Sequence, residues 1–133
     1  MTPVPFIRGL LDTAVVIDYR EGWPDPIAFF GTVRNIGFPE FSQITALKVL
    51  EHARDLWELD SAKVYLSISR VHPLNARVAD LAQRLLELIP PPSPLSPDDT
   101  IVAATALIHK LPLYTLHPAR FGIVPGLNTI QPY

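Results

Sequence analysis

The sequence predicts an α/β domain on a mainly parallel sheet, and three observations carry that expectation. Short apolar segments of strand character alternate with longer segments of helical periodicity. The 15 prolines among 133 residues, about 11% and roughly twice average usage, fall mostly between those segments. The last long helical segment is apolar nearly all round, so it must be buried on more than one side.

In chain order, residues 5–11 predict a short buried strand that runs into Asp12. The apolar run Ala14–Tyr19 fits strand or helix and is taken as a helix over 14–20. Residues 26–35 predict a helix with Ile27, Phe30 and Val33 on one face, stopped by Asn35-Ile36-Gly37-Phe38-Pro39. Residues 41–44 predict a second strand. Thr45 then opens a long helix to about Leu59, with Ala46, Leu50, Ala53 and Trp57 as its apolar stripe. Residues 61–67 continue as helix and Ile68–His72 form a third strand. The clearest helix is amphipathic, with Leu74, Val78, Leu81, Leu85 and Leu88 on one side.

Five prolines within 90–97 exclude a helix there. Ser96-Pro97-Asp98-Asp99 then reads as a helix start: serine at the N-cap, proline at the first position, acids in the first turn. That helix spans 97–110. Residues 113–116 and 128–130 complete the strands.

Composition removes several function classes. An apolar content of 48% and a mean hydropathy of +0.22 exclude disorder. No apolar run reaches the ~18 residues of a membrane span, and the N-terminus does not read as a signal peptide. With no cysteine there is no disulfide scaffold or thiolate zinc site, which fits a cytoplasmic setting. A net charge of −2 means that nucleic acid would need a local basic patch. Arg8, Arg34, Lys48 and Arg120 are candidates to line a groove for phosphate, although ordinary solvated charge is the favoured account of them. The four histidines lack ligand spacing. No serine sits in a glycine-flanked strand-to-helix turn, and no glycine-rich phosphate loop is present.

Ligands of parallel α/β sheets bind beyond the carboxyl ends of the strands. Asp12 ends the first strand, Thr45 follows the second, His117 follows the fourth, and Asp98 and Asp99 open a helix. Convergence of these ends would gather acidic oxygens suited to a hard cation such as Mg²⁺. Each residue also has a purely structural reading, as a turn aspartate or a helix cap.

Leu10-Leu11-Asp12-Thr13-Ala14-Val15-Val16-Ile17-Asp18 resembles the "LLDTNVLID" opening of PIN domains. Asp99–Ala106, followed by Leu111-Pro112-Leu113-Tyr114-Thr115-Leu116, is similar to the "DALIAATA…LPLYTLN" block of bacterial VapC toxins. Phe121, Val124-Pro125-Gly126-Leu127 and Pro132-Tyr133 resemble the ending of that group, and Ile44-Thr45 lies where it opens its central helix. The resemblance spans residues 1–133 as one domain. It implies a three-layer α/β/α sandwich and RNA cleavage dependent on Mg²⁺ or Mn²⁺, with Asp12 and Asp99 as catalytic, metal-binding acids. It also implies a homodimer and a small antitoxin as partner. The apolar surface expected on helices 26–35 and 45–59 points to a dimer as well.

The implied site is incomplete. Lys48 occupies the position of the family glutamate, His117 that of an asparagine, and Arg120 a position where an acid or histidine is common. Asp98 or Glu51 could replace the missing metal ligand, with Thr13 or Thr45 as polar support. The alternative is a catalytically silent PIN domain acting as a binding or dimerisation module, with the Lys48 ammonium paired to Asp12 and Asp99. A charged ammonium cannot coordinate a metal and repels one.

Overall fold

The computed structural model describes residues 7–133. Its strands are β1 (Leu10–Leu11), β2 (Glu40–Ser42), β3 (Arg70–His72), β4 (Leu113–Tyr114) and β5 (Thr129–Ile130). Its helices are α1 (Thr13–Arg20), α2 (Pro24–Ile36), α3 (Gln43–Glu51), α4 (Leu56–Ser67), α5 (Ala76–Leu88), α6 (Pro97–Ile108) and α7 (Pro118–Phe121). All pairings are parallel, in the order β1-β4-β5 and, in a second ribbon, β2-β3.

Two tethers hold β1 beside β2. At one end Arg8 makes a bidentate ion pair with buried Glu40, at 2.7 and 2.9 Å. At the other, the Thr13 and Thr45 hydroxyls meet at 2.8 Å. Successive strand residues feed opposite sides, as the two-residue period requires. Leu10 and Leu113 enter a core with α5, α6 and Phe121, whereas Leu11 and Tyr114 enter a second core with Val15, Phe30, Phe41 and Ala62. Helices therefore cover both faces of the central strands, the layered arrangement that the sequence predicts.

The helices follow their local chemistry. Ser96 accepts from the Asp99 amide while Asp99 accepts from the Ser96 amide, a capping box on α6. Thr100, Val102–Ala104, Thr105 and Ala106 are buried, as an all-round apolar helix requires. The α5 helix is capped by Asn75 and buries Val78, Ala82 and Leu85. The proline-rich run before α6 is anchored by Leu95, 3% exposed in the core of α5 and α6.

Several expectations need correction. The first strand is only Leu10–Leu11 among the described residues; the start of the expected segment lies outside them. The second strand covers Glu40–Ser42, because the Ser42 hydroxyl accepts from the Ile44 amide and starts α3 there. The single helix expected over 45–59 is two. Asp55 caps a new helix by accepting from the Glu58 amide, so the chain turns between His52 and Asp55. That break takes Trp57 off the apolar stripe and leaves it 84% exposed. Ile27 likewise lies outside the α2 core face, which is held by Phe30 and Val33. The α7 helix had no counterpart in the sequence reading.

Candidate functional site

Parallel strands deliver their carboxyl ends to one rim, where α1, α3 and α6 begin. Their positive dipole ends favour anionic side chains there. Asp12 is 3% exposed and caps α1, its Oδ1 accepting from the Thr13 amide at 2.8 Å. Its Oδ2 accepts from the Thr115 hydroxyl, also at 2.8 Å. The register explains this contact: Leu11 pairs with Tyr114, so the next residues of each strand face one another. Thr115 Oγ1 also accepts from the His117 amide at 3.0 Å, tying Asp12 to the entry into α7.

Asp99 completes the rim from α6. Its Oδ2 accepts from the Ser96 amide at 3.0 Å, and its Oδ1 lies 3.5 Å from Arg120 Nη2. Asp12 responds electrostatically to both groups. Burial pushes its carboxyl above the ordinary range and the Asp99 charge adds to that, while Thr115, the Thr13 amide and Arg120 act in the opposite sense.

The structure thus brings Asp12, Asp99 and Arg120 together and leaves other candidates elsewhere. Asp98 is paired with Lys48, Nζ to Oδ2 2.7 Å, at a half-exposed edge of the rim. The silent alternative paired Lys48 with Asp12 and Asp99; its place on α3 instead sets it against Asp98, which holds the ammonium in its charged form. Glu51 is exposed and lines a groove with Arg20, His52 and Trp57. His117 is exposed, and Thr13 and Thr45 bond to each other. Arg8 pairs with Glu40 at the start of β2, a carboxylate that His72 also reaches, and not with a phosphate groove; the Arg34 side chain is outside the described residues.

Sequence reasoning missed Thr115, which only the strand register reveals. It also missed the contact of Arg120 with Asp99, which depends on the tertiary placement of α7. Among the described residues no three His, Asp or Glu side chains form a group that could hold a metal ion. All four carboxylate oxygens of Asp12 and Asp99 have protein partners, and one of those partners is cationic. A hydrogen-bonded carboxylate oxygen can still ligate, but with a guanidinium on Asp99 and no third acid grouped with the pair among the described residues, this arrangement does not fit a divalent cation.

The burial of Asp12 has a measurable consequence. Its folded pKa lies above the unfolded value, so the folded state binds the proton more tightly. Stability from this group is therefore present at low pH and lost as pH rises past the ordinary carboxylate range. Asp12→Asn keeps a good N-cap and removes the buried charge. It is expected to raise Tm near neutral pH by ~2–4 °C, with the gain vanishing in acid where both forms are neutral. Thermal scans across that pH range check it; an unchanged Tm near neutrality would show that the charge is not costly.

No family model and no curated protein matches the chain. Solved structures do. A chain of a toxin–antitoxin complex from Klebsiella pneumoniae superposes with a TM-score of 0.77 at 24% identity, over 95% of this chain and 98% of that one. DNA-bound VapBC from Salmonella typhimurium gives 0.75 at 20% identity, over 94% and 98%. VapBC-1 from nontypeable Haemophilus influenzae gives 0.73 at 15%, over 92% and 96%. The fold is therefore that of the VapC-type PIN domain. Among the described residues no helix is long and apolar enough to cross a membrane.

Proposed function

We propose that this chain is the VapC-like member of a toxin–antitoxin-type pair, binding a small antitoxin protein, with its catalytic rim silent toward RNA. The observation that carries this reading is the Arg120–Asp99 contact, at a rim where Lys48 neutralises the neighbouring Asp98. Two-metal or one-metal hydrolysis needs carboxylates free to coordinate, and here they are engaged with cations and amides. The solved structures of the same fold are toxin–antitoxin complexes, which supports a protein partner. So does a groove between α1, α2 and α4 lined by Ile27, Phe30, Val64, Tyr65 and Ile68. Leu56 and Trp57, at 78% and 84% exposure, lie on the same α4 helix. This surface suits an apolar partner segment. A second copy of the chain forming a homodimer is compatible with it, and the cytoplasm is the expected setting.

One observation favours a second reading, a Mg²⁺- or Mn²⁺-dependent endoribonuclease: Asp12 and Asp99 lie near enough at the rim for the Asp99 charge to act on Asp12. One assay separates the two. The purified chain and its Asp99→Asn variant are incubated with structured RNA and either metal. The silent reading expects no metal-dependent cleavage by either protein, and cleavage that Asp99→Asn abolishes would overturn it. Co-expression with the product of an adjacent short open reading frame tests the partner. A stable complex that protects α2 and α4 from hydrogen exchange is expected, and absence of any complex would count against the antitoxin assignment.

A further inference from the structure

Two adjacent carboxylates in a low-dielectric rim repel one another unless a positive charge lies between or beside them. In this chain the charge comes from α7. Four residues cannot sustain a helix alone, so α7 depends on its anchors. Phe121, fully buried, fixes its end in the core, and the His117 amide bonded to Thr115 fixes its start. Arg120 lies between these anchors, its Nη2 turned to Asp99 and its charge felt by Asp12. Its Nε is buried with no acceptor among the described residues. Leaving a donor unsatisfied is costly, yet the guanidinium stays where it faces the carboxylate.

We propose that Arg120 is the resident counter-ion of the rim: its guanidinium, held in place by α7, supplies the charge that Asp12 and Asp99 require and so excludes a divalent cation. The inference rests on the silent reading above and deepens it. Lys48 makes its direct ion pair with Asp98 and acts on Asp99 only through its charge, so Arg120 is the cation in direct contact with Asp99.

The test is Mn²⁺ binding by the full chain, followed by electron paramagnetic resonance of free Mn²⁺, with circular dichroism confirming the fold. The wild type and Arg120→Lys, which keeps the charge, are expected to bind no stoichiometric Mn²⁺. Arg120→Gln removes the charge, and with Lys48→Glu it adds an acid to the rim; that double variant is expected to bind one Mn²⁺ at least ~10-fold more tightly than wild type. Its Tm is expected to rise with Mn²⁺, while the wild-type Tm is the same in Mn²⁺ and in chelator. Stoichiometric binding by the wild type, or equal weakness in the double variant, would overturn the proposal. Should the double variant fail to fold, Lys48→Glu alone decides: with Arg120 present it must bind no better than wild type, and tighter binding overturns the proposal. RNA cleavage by the wild type would defeat the silent reading itself. A wild type that neither cleaves nor binds, beside a folded double variant that does not bind, defeats only the role given to Arg120.

Discussion

Phe121→Ala is expected to cost about 3–5 kcal/mol, the range for deleting a fully buried phenylalanine. Phe121 is 0% exposed and packs in the core that holds Leu10, Val102, Leu113 and Val124. The side chain is part of a close-packed core, so its removal leaves a gap that its neighbours fill only in part. A second effect accompanies the cavity. The α7 helix has no other side chain buried to this degree, so its truncation frees Arg120 from Asp99. Urea unfolding measures the first effect, as a lower midpoint with an unchanged slope. Faster amide exchange over His117–Gly122 measures the second. A loss below about 1 kcal/mol would mean that the core refills around the gap, contrary to this account of the packing.

Gly9→Ala is expected to cost about 1–3 kcal/mol, an overpacking penalty. A Cβ at Gly9 would stand 2.7 Å from Tyr114 Cε2 and 2.9 Å from the Pro112 carbonyl oxygen. Neither neighbour yields easily. That carbonyl accepts from the Leu10 amide at 2.8 Å where β1 meets β4. The tyrosine ring is held by its hydroxyl, which donates to the Ile7 carbonyl at 2.6 Å and accepts from the Ile7 amide at 2.9 Å. Gly31 gives the matched control. It lies inside α2 with nothing within 4 Å of an added Cβ, so Gly31→Ala is expected to stabilise by about 0.5–1 kcal/mol. Chemical denaturation of both variants checks the pair. If Gly9→Ala gained stability as Gly31→Ala does, the close approach of β1 to Tyr114 would be wrong.

Much of the fold was legible because it rests on local signals. Ser96, Pro97 and Asp99 announce the start of α6 whatever surrounds them, and of the stripe read for α5 Val78 and Leu85 are buried, while Leu74 precedes the helix, Leu88 is exposed and Ala82 takes the third core position. Other features were hidden by competition between signals. Apolar spacing ran through 45–57 as if in one helix, while the Asp55 cap, a single side-chain hydrogen bond, cut it in two. Of the candidate site, Asp12 and Asp99 were visible as a strand-end and a helix-start acid, and each feels the other's charge at the rim. The partners of Lys48 and Arg120 were not, because long cationic side chains reach in several directions and their targets depend on tertiary placement. A helix as short as α7 also leaves no periodicity to detect.

Asp12 and Asp99 each have an occupation independent of chemistry. One begins α1 and bonds Thr115 across two strands, and the other closes the capping box of α6. A lineage that abandoned hydrolysis would still weaken helix ends by replacing them with most residues, so selection for folding alone keeps a capping residue at both positions, aspartate among the few that serve. The survival of these acids in a PIN-like sequence therefore says little about whether it cuts RNA. The positions that cap no helix, those of Lys48 and Arg120, are the more truthful witnesses to lost or retained catalysis when sequences of this kind are sorted.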